Sequence, residues 1–147
     1  DRLSLVIIGQ RTLYTDTVLT YAEDHDLSQW LVFPDNVTTE DLPAVYQGAE
    51  ILIYTSLYEG FGLPVLEALT SGLPVITSNV SSMPEAAGPN SRLVNPDCPE
   101  EIAMGISDIL SSKSLREEMI HNGYSYSAAF NNEIITKQIL SLYQDLL

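Results

Sequence analysis

The chain has 147 residues, 45% of them hydrophobic, which suits one domain with a buried core. Its net charge of −14 argues against nucleic acid as a partner. No apolar run approaches the ~18–20 residues of a membrane span, and the opening Asp1-Arg-Leu-Ser-Leu-Val-Ile-Ile is too short and wrongly flanked for a secretory signal.

Taken in order, Leu3-Ser-Leu-Val-Ile-Ile-Gly9 reads as a buried strand closed by a glycine turn. Residues near 12–26 are helical in pattern, and Trp30-Leu-Val-Phe33 is a short strand. A helix over 38–47 follows, with Thr38 or Thr39 as its cap. Asp35 and Asn36, just before it, are turn residues by type.

The apolar strand Ile51-Leu-Ile-Tyr54 then runs into Tyr58-Glu-Gly-Phe-Gly-Leu-Pro-Val-Leu-Glu-Ala-Leu69. Gly60 and Gly62 let backbone N–H groups come close to a ligand. Pro64 suits the start of a helix over about 64–71, and the helix N-terminus offers amides to an anion. Glu59 and Glu67 flank that anion site as hydrogen-bond acceptors for hydroxyl groups, with Glu67 in the first helical turn. Phosphate on amides with carboxylates beside it for hydroxyls describes a sugar nucleotide.

Gly72 and Pro74 end the helix. A strand at Val75-Ile-Thr77, a polar loop Ser78-Asn-Val-Ser-Ser82 capping a short helix at 83–87, and a strand at Arg92-Leu-Val94 come next. The remainder is helical over 99–111, 114–129 and 132–147. Alternation of strand and helix predicts an α/β, Rossmann-like open parallel sheet with helices on both faces. Ligands in such sheets sit outside the carboxyl ends of the strands, here the loops 34–38, 55–63 and 78–83.

Cys98 is the one cysteine, which excludes an internal disulfide and makes a reducing, cytoplasmic setting the expectation. His25 and His121 have no metal-ligand spacing, so no metal is expected. The cations Arg2, Arg11, Arg92, Lys113, Arg116 and Lys137 all lie far in sequence from the Glu59–Glu67 loop. A diphosphate there must be held by backbone amides or by cations from elsewhere.

The Glu59–Glu67 pair is an E-x7-E motif, and with its flanks it resembles the donor-site signature of retaining glycosyltransferases of family four (glycosyl transferases group one). Thr39-Glu-Asp-Leu-Pro-Ala-Val-Tyr46, Asn79-Val-Ser-Ser-Met-Pro-Glu-Ala-Ala-Gly88 and Leu93-Val-Asn-Pro96 extend the likeness over nearly the whole chain. The resemblance implies the C-terminal, donor-binding half of a two-domain GT-B enzyme. It also implies that the family's usual first strand and its basic loop lie outside the chain, which would be a fragment of that enzyme. That strand would separate 3–9 from 51–54.

By the same resemblance, Glu59 is the catalytic carboxylate beside the transferred sugar, without being a nucleophile, and Glu67 binds the ribose hydroxyls. Gly60, Phe61, Gly62, Leu63 and Val65 offer amides to the sugar and diphosphate, and Val37 and Thr39 border the base. For Phe61 the alternative is packing, and for Tyr58 it is covering the loop. The loop Val32-Phe-Pro-Asp-Asn36 departs from the glycine-containing form usual in the family, which leaves the base open.

The expected reaction is retaining transfer of a hexose, with mannose from GDP-mannose as leading donor, to a glycan or lipid-linked acceptor. No metal or other cofactor is expected, and polysaccharide assembly at the cytoplasmic membrane face is the setting. Two alternatives stand beside it: a non-catalytic nucleotide-sugar-binding module, and a sugar-nucleotide epimerase or phosphorylase on the same fold.

Overall fold

Every strand pair is parallel in the computed structural model, which describes residues 3–146. The chain divides into two units, one running to Leu42 and the other from Pro43 onward. Each unit carries its own sheet, with strand orders β1-β2 and β3-β4-β5.

The first unit contains β1 (Leu5–Val6), α1 (Leu13–Asp24) and β2 (Leu31–Val32), with Leu5 opposite Leu31 and Val6 opposite Val32. The strand expected over 3–9 is thus two residues long, and it is not buried: Leu5 is 49% exposed and Val6 48%. A parallel strand is buried when both its faces are covered, and a two-stranded ribbon lacks the apolar face to do that itself. Trp30 belongs to a single 3₁₀ turn, Ser28–Trp30, before β2. Asn36 turns the chain with φ of 61°, as its residue type suggests.

The helix expected from residue 38 begins at Leu42 instead, as α2 (Leu42–Gly48). Asp41 accepts from both the Thr38 N–H (2.9 Å) and the Thr38 hydroxyl (2.8 Å), which closes a turn ahead of the helix. The Thr38 amide and hydroxyl hold the Asp41 carboxyl below the usual carboxylate range.

The second unit continues with β3 (Leu52–Tyr54), α3 (Leu63–Thr70), β4 (Val75–Ser78), α4 (Met83–Ala87) and β5 (Arg92–Val94). It closes with α5 (Pro99–Ser111), α6 (Lys113–Ser127), a 3₁₀ turn at Ala128–Phe130 and α7 (Asn132–Asp145). The register places Leu52, Ile53 and Tyr54 beside Val75, Ile76 and Thr77, and Ile76, Thr77 and Ser78 beside Arg92, Leu93 and Val94. All four residues of β4 are buried, and since alternate side chains point to opposite faces, both faces of the sheet are covered there. Ile76 and Val94 pack with Ile109 of α5 and Met119 of α6 in one core.

Gly72 ends α3 with φ of 75°. Its N–H donates to the Leu69 carbonyl at 3.2 Å while the Leu73 N–H donates to Ala68 at 3.0 Å, a Schellman closure that only a left-handed residue permits. No residue of α7 is buried, and Leu140 and Leu142 are 55% and 61% exposed. The C-terminal residue of the expected helix 132–147 lies outside the described residues. Among the described residues no helix is long and apolar enough to cross a membrane.

Candidate functional site

The parallel order of β3, β4 and β5 brings the loop after β3 (residues 55–62) and the loop after β4 (79–82) to the same end of the sheet. Polar contacts between strand ends set the spacing of these loops. The Thr77 hydroxyl donates to the Tyr54 carbonyl at 2.6 Å, and the Ser78 hydroxyl donates to the Ser56 carbonyl at 2.5 Å.

Each carboxylate of the motif is held by a tyrosine. The Tyr54 hydroxyl, at the end of β3, donates to Glu59 Oε1 at 2.7 Å. The Tyr46 hydroxyl, on α2, donates to Glu67 Oε2 at 3.0 Å. Burial, then the hydrogen bond and negative charge of Glu59, push the Tyr54 hydroxyl up to about 12. Burial above all, reinforced by Glu67, pushes the Tyr46 hydroxyl up further. Both phenols therefore remain neutral donors at physiological pH. Glu67 itself is exposed and Glu59 half-buried, so each keeps a face toward solvent.

Serines of the next loop grip the Glu59 backbone. Ser81 Oγ accepts from the Glu59 N–H at 3.3 Å and donates to the Glu59 carbonyl at 3.1 Å, and Ser82 Oγ donates to the same carbonyl at 2.9 Å. The loop 78–82 was expected to cap α4; Ser82 occupies the N-cap position, where its hydroxyl makes no cap hydrogen bond while it donates to the Glu59 carbonyl. Ser81 adopts φ of 59°, a conformation that costs a non-glycine residue about 1–3 kcal/mol and here accompanies the two bonds to Glu59.

Gly62 is the N-cap of α3 with φ of 106°, and a Cβ there would stand 3.0 Å from Met83 Cε and 3.1 Å from Ala86 Cβ. No other residue type lets α3 and α4 approach this closely. With Gly62 as cap, Leu63 is the first helical residue, Pro64 the second, and Glu67 lies beyond the first turn. The sequence expectation of Glu67 in that turn is thereby corrected, and complementing the helix dipole does not explain its presence.

The N–H groups of Gly60, Phe61, Gly62 and Leu63 donate no hydrogen bond among the described residues. The Val65 N–H, expected to face phosphate, instead donates to the Gly62 carbonyl at 3.0 Å. Phe61 packs its ring against Phe130, with centroids 5.6 Å apart. Tyr58 is 84% exposed and covers nothing.

The cations of the second unit are all engaged with carboxylates away from this loop. Arg92 pairs with Asp108 (3.5 Å), Lys113 with Glu117 (3.6 Å), Arg116 with Glu50 (3.6 Å) and Lys137 with Glu133 (2.7 Å). Among the described residues no group of His, Cys, Asp or Glu could hold a metal ion.

Two carboxylates frame a run of unengaged amides at the carboxyl end of a parallel sheet, and residues 1–126 match the family described as glycosyl transferases group 1. The chain belongs to the glycosyl transferases group 1 family. It is 34% identical over 143 residues to the O-antigen chain mannosyltransferase B of Escherichia coli, covering 97% of this chain and 38% of that protein. The C-terminal domain of a glycosyl transferase group 1 family protein (LpcC) from Francisella tularensis superposes with a TM-score of 0.77 at 26% identity, over 86% of this chain and 69% of that one. The Anabaena protein HepE, solved in complex with UDP, shares the fold with a TM-score of 0.88 at 19% identity, over 97% of this chain and 41% of its own. The chain thus spans well under half of the mannosyltransferase it matches.

In this group 1 glycosyltransferase chain, the expected residues Glu59, Gly60, Phe61, Gly62, Leu63 and Glu67 fall in one strand–loop–helix segment of the second unit. Val37 and Thr39 lie in the first unit, Val37 between β2 and the turn at residues 39–41 and Thr39 in that turn. Sequence reading gave Tyr46 and Tyr54 no role at the site. The signal available was a tyrosine at the very end of the strand entering the motif, where its side chain has the motif loop within reach.

Proposed function

We propose that this chain is the donor-binding domain of a retaining hexosyltransferase that takes a nucleoside diphosphate sugar. The observation that carries the reading is the pair Glu59 and Glu67, each fixed by a phenol, on either side of the unengaged amides of residues 60–63. Glu67 accepts from the vicinal ribose hydroxyls, a geometry that one ionised carboxylate satisfies with two charge-assisted bonds. The amides of Gly60, Phe61, Gly62 and Leu63 take the sugar and diphosphate oxygens. Glu59 contacts the sugar hydroxyls and stabilises positive charge developing at the anomeric carbon as its bond to phosphate breaks. Val37 and Thr39 are assigned to the base.

The mannosyltransferase of Escherichia coli supports mannose as the sugar, and GDP is the carrier assigned to it in this reading. The acceptor is a glycan or lipid-linked hydroxyl, bound together with an N-terminal domain, and the family's basic loop supplies the cations for the diphosphate. The setting is the cytoplasmic membrane face. Transfer proceeds without a metal, since the two carboxylates are committed to hydroxyl groups. Alone, the domain binds nucleotide with a dissociation constant on the order of a millimolar.

The test is nucleoside diphosphate release by the full-length protein from GDP-mannose and from UDP-glucose, with and without EDTA. Release from one donor, unchanged by EDTA and reduced at least ~100-fold by Glu59→Gln, is the expected result. Binding of the donor with no release under any condition would favour a non-catalytic binding module instead.

A further inference from the structure

We propose that Tyr54 and Tyr46 are the positioning residues of the donor site: each phenol fixes one oxygen of its carboxylate, Glu59 Oε1 or Glu67 Oε2, and leaves the other oxygen to the donor. The inference rests on the donor-site reading above and extends it to residues outside the motif.

A glutamate side chain ends in a broad, roughly two-fold torsion, so a carboxylate on a loop or an exposed helix face has no fixed direction of its own. An ionised carboxylate has about four lone-pair positions. A phenol that occupies one of them selects the rotation of the whole group and still leaves acceptor capacity for hydroxyls. Glu59 meets this condition at three points. Tyr54 holds its side chain at 2.7 Å from the end of β3, while Ser81 and Ser82 hold its backbone from the loop after β4. Ser81 does so with φ of 59°, a conformation better suited to glycine, and its hydroxyl bonds Glu59 on both the N–H and the carbonyl. Glu67 is held more simply, by Tyr46 at 3.0 Å, from a helix that precedes the motif altogether.

The competing explanation is that two partly buried phenols merely find acceptors. The two accounts differ in kinetics. Loss of orientation at Glu59 acts on the reacting carbon and lowers kcat, whereas loss of orientation at Glu67 acts on the ribose and raises KM. A purely structural phenol produces no such opposite split.

The experiment is steady-state release of GDP from GDP-mannose, or of UDP from UDP-glucose, by the full-length protein. Tyr54→Phe is expected to lower kcat about tenfold with KM within about twofold, and Tyr46→Phe to raise KM about tenfold with kcat within about twofold. In a Glu59→Gln background, Tyr54→Phe is expected to cost less than about twofold, since its partner is already altered. Ser81→Gly relieves the backbone and removes the hydroxyl, so the variant folds and is expected to lose kcat. Wild-type kinetics in both Tyr→Phe variants, or an undiminished Tyr54→Phe loss in the Glu59→Gln background, would overturn the proposal while Glu59→Gln and Glu67→Gln remain impaired. Wild-type kinetics in those two glutamate variants would remove the donor-site reading itself, and this inference with it.

Discussion

The phenols beside Glu59 and Glu67 make the site's chemistry depend on pH in a defined direction. The folded protein keeps the Tyr54 proton up to about 12, whereas the unfolded chain releases it near the ordinary value of about 10. Between those values the unfolded state binds fewer protons, so the stabilisation is complete below about pH 10 and is lost as the pH rises through about 12. Tyr46, raised further, extends the loss to still higher pH. Urea unfolding at about pH 9, 10.5 and 11.5 should therefore show a steeper fall in stability for wild type than for Tyr54→Phe, and equal slopes would refute this coupling. Glu59 and Glu67 were legible in sequence because their motif is local and its glycines are unmistakable. The groups that orient them were not, because Tyr46 and Ser81 approach from 21 and 22 residues away. The Val65 amide shows the reverse error: only the fold reveals that Gly62 already occupies it.

At the scale of elements, the site depends on how closely α3 approaches α4. Gly62→Ala would place a methyl group 3.0 Å from Met83 Cε, in a backbone conformation with φ of 106°. The left-handed conformation alone costs a residue with a side chain about 1–2 kcal/mol, and the contact adds to it. Guanidinium unfolding should register a loss of at least about 1–2 kcal/mol, with nucleotide binding weakened together with it, and an unchanged midpoint would contradict the packing described here. Helices with proline near their starts and strands with β-branched residues were legible: α4, α5 and β5 have the predicted limits. The start of α2 was not, because Thr38 and Asp41 bond each other rather than capping the helix. Nor was the exposure of β1, since an apolar sequence reads as buried whether or not anything covers it.

For the whole molecule, the net charge of −14 opposes the anionic ligand that the fold is proposed to take. The second unit's cations pair with carboxylates elsewhere, so the general field around the loop is repulsive. Screening should relieve it: raising NaCl from about 20 to 200 mM is expected to tighten nucleotide binding to this chain, the opposite of a site built on lysine and arginine. Isothermal titration at both salts checks the sign, and weaker binding at high salt would mean that cations contribute to the site. The central claim is that residues 58–67 form the donor site, and a backbone-amide NMR titration with GDP, UDP and ADP tests it most directly. Saturable shifts centred on residues 60–63 with one of the three nucleotides, abolished by Glu67→Ala, are the predicted result. Shifts that avoid residues 58–67, or that survive Glu67→Ala unchanged, would contradict it.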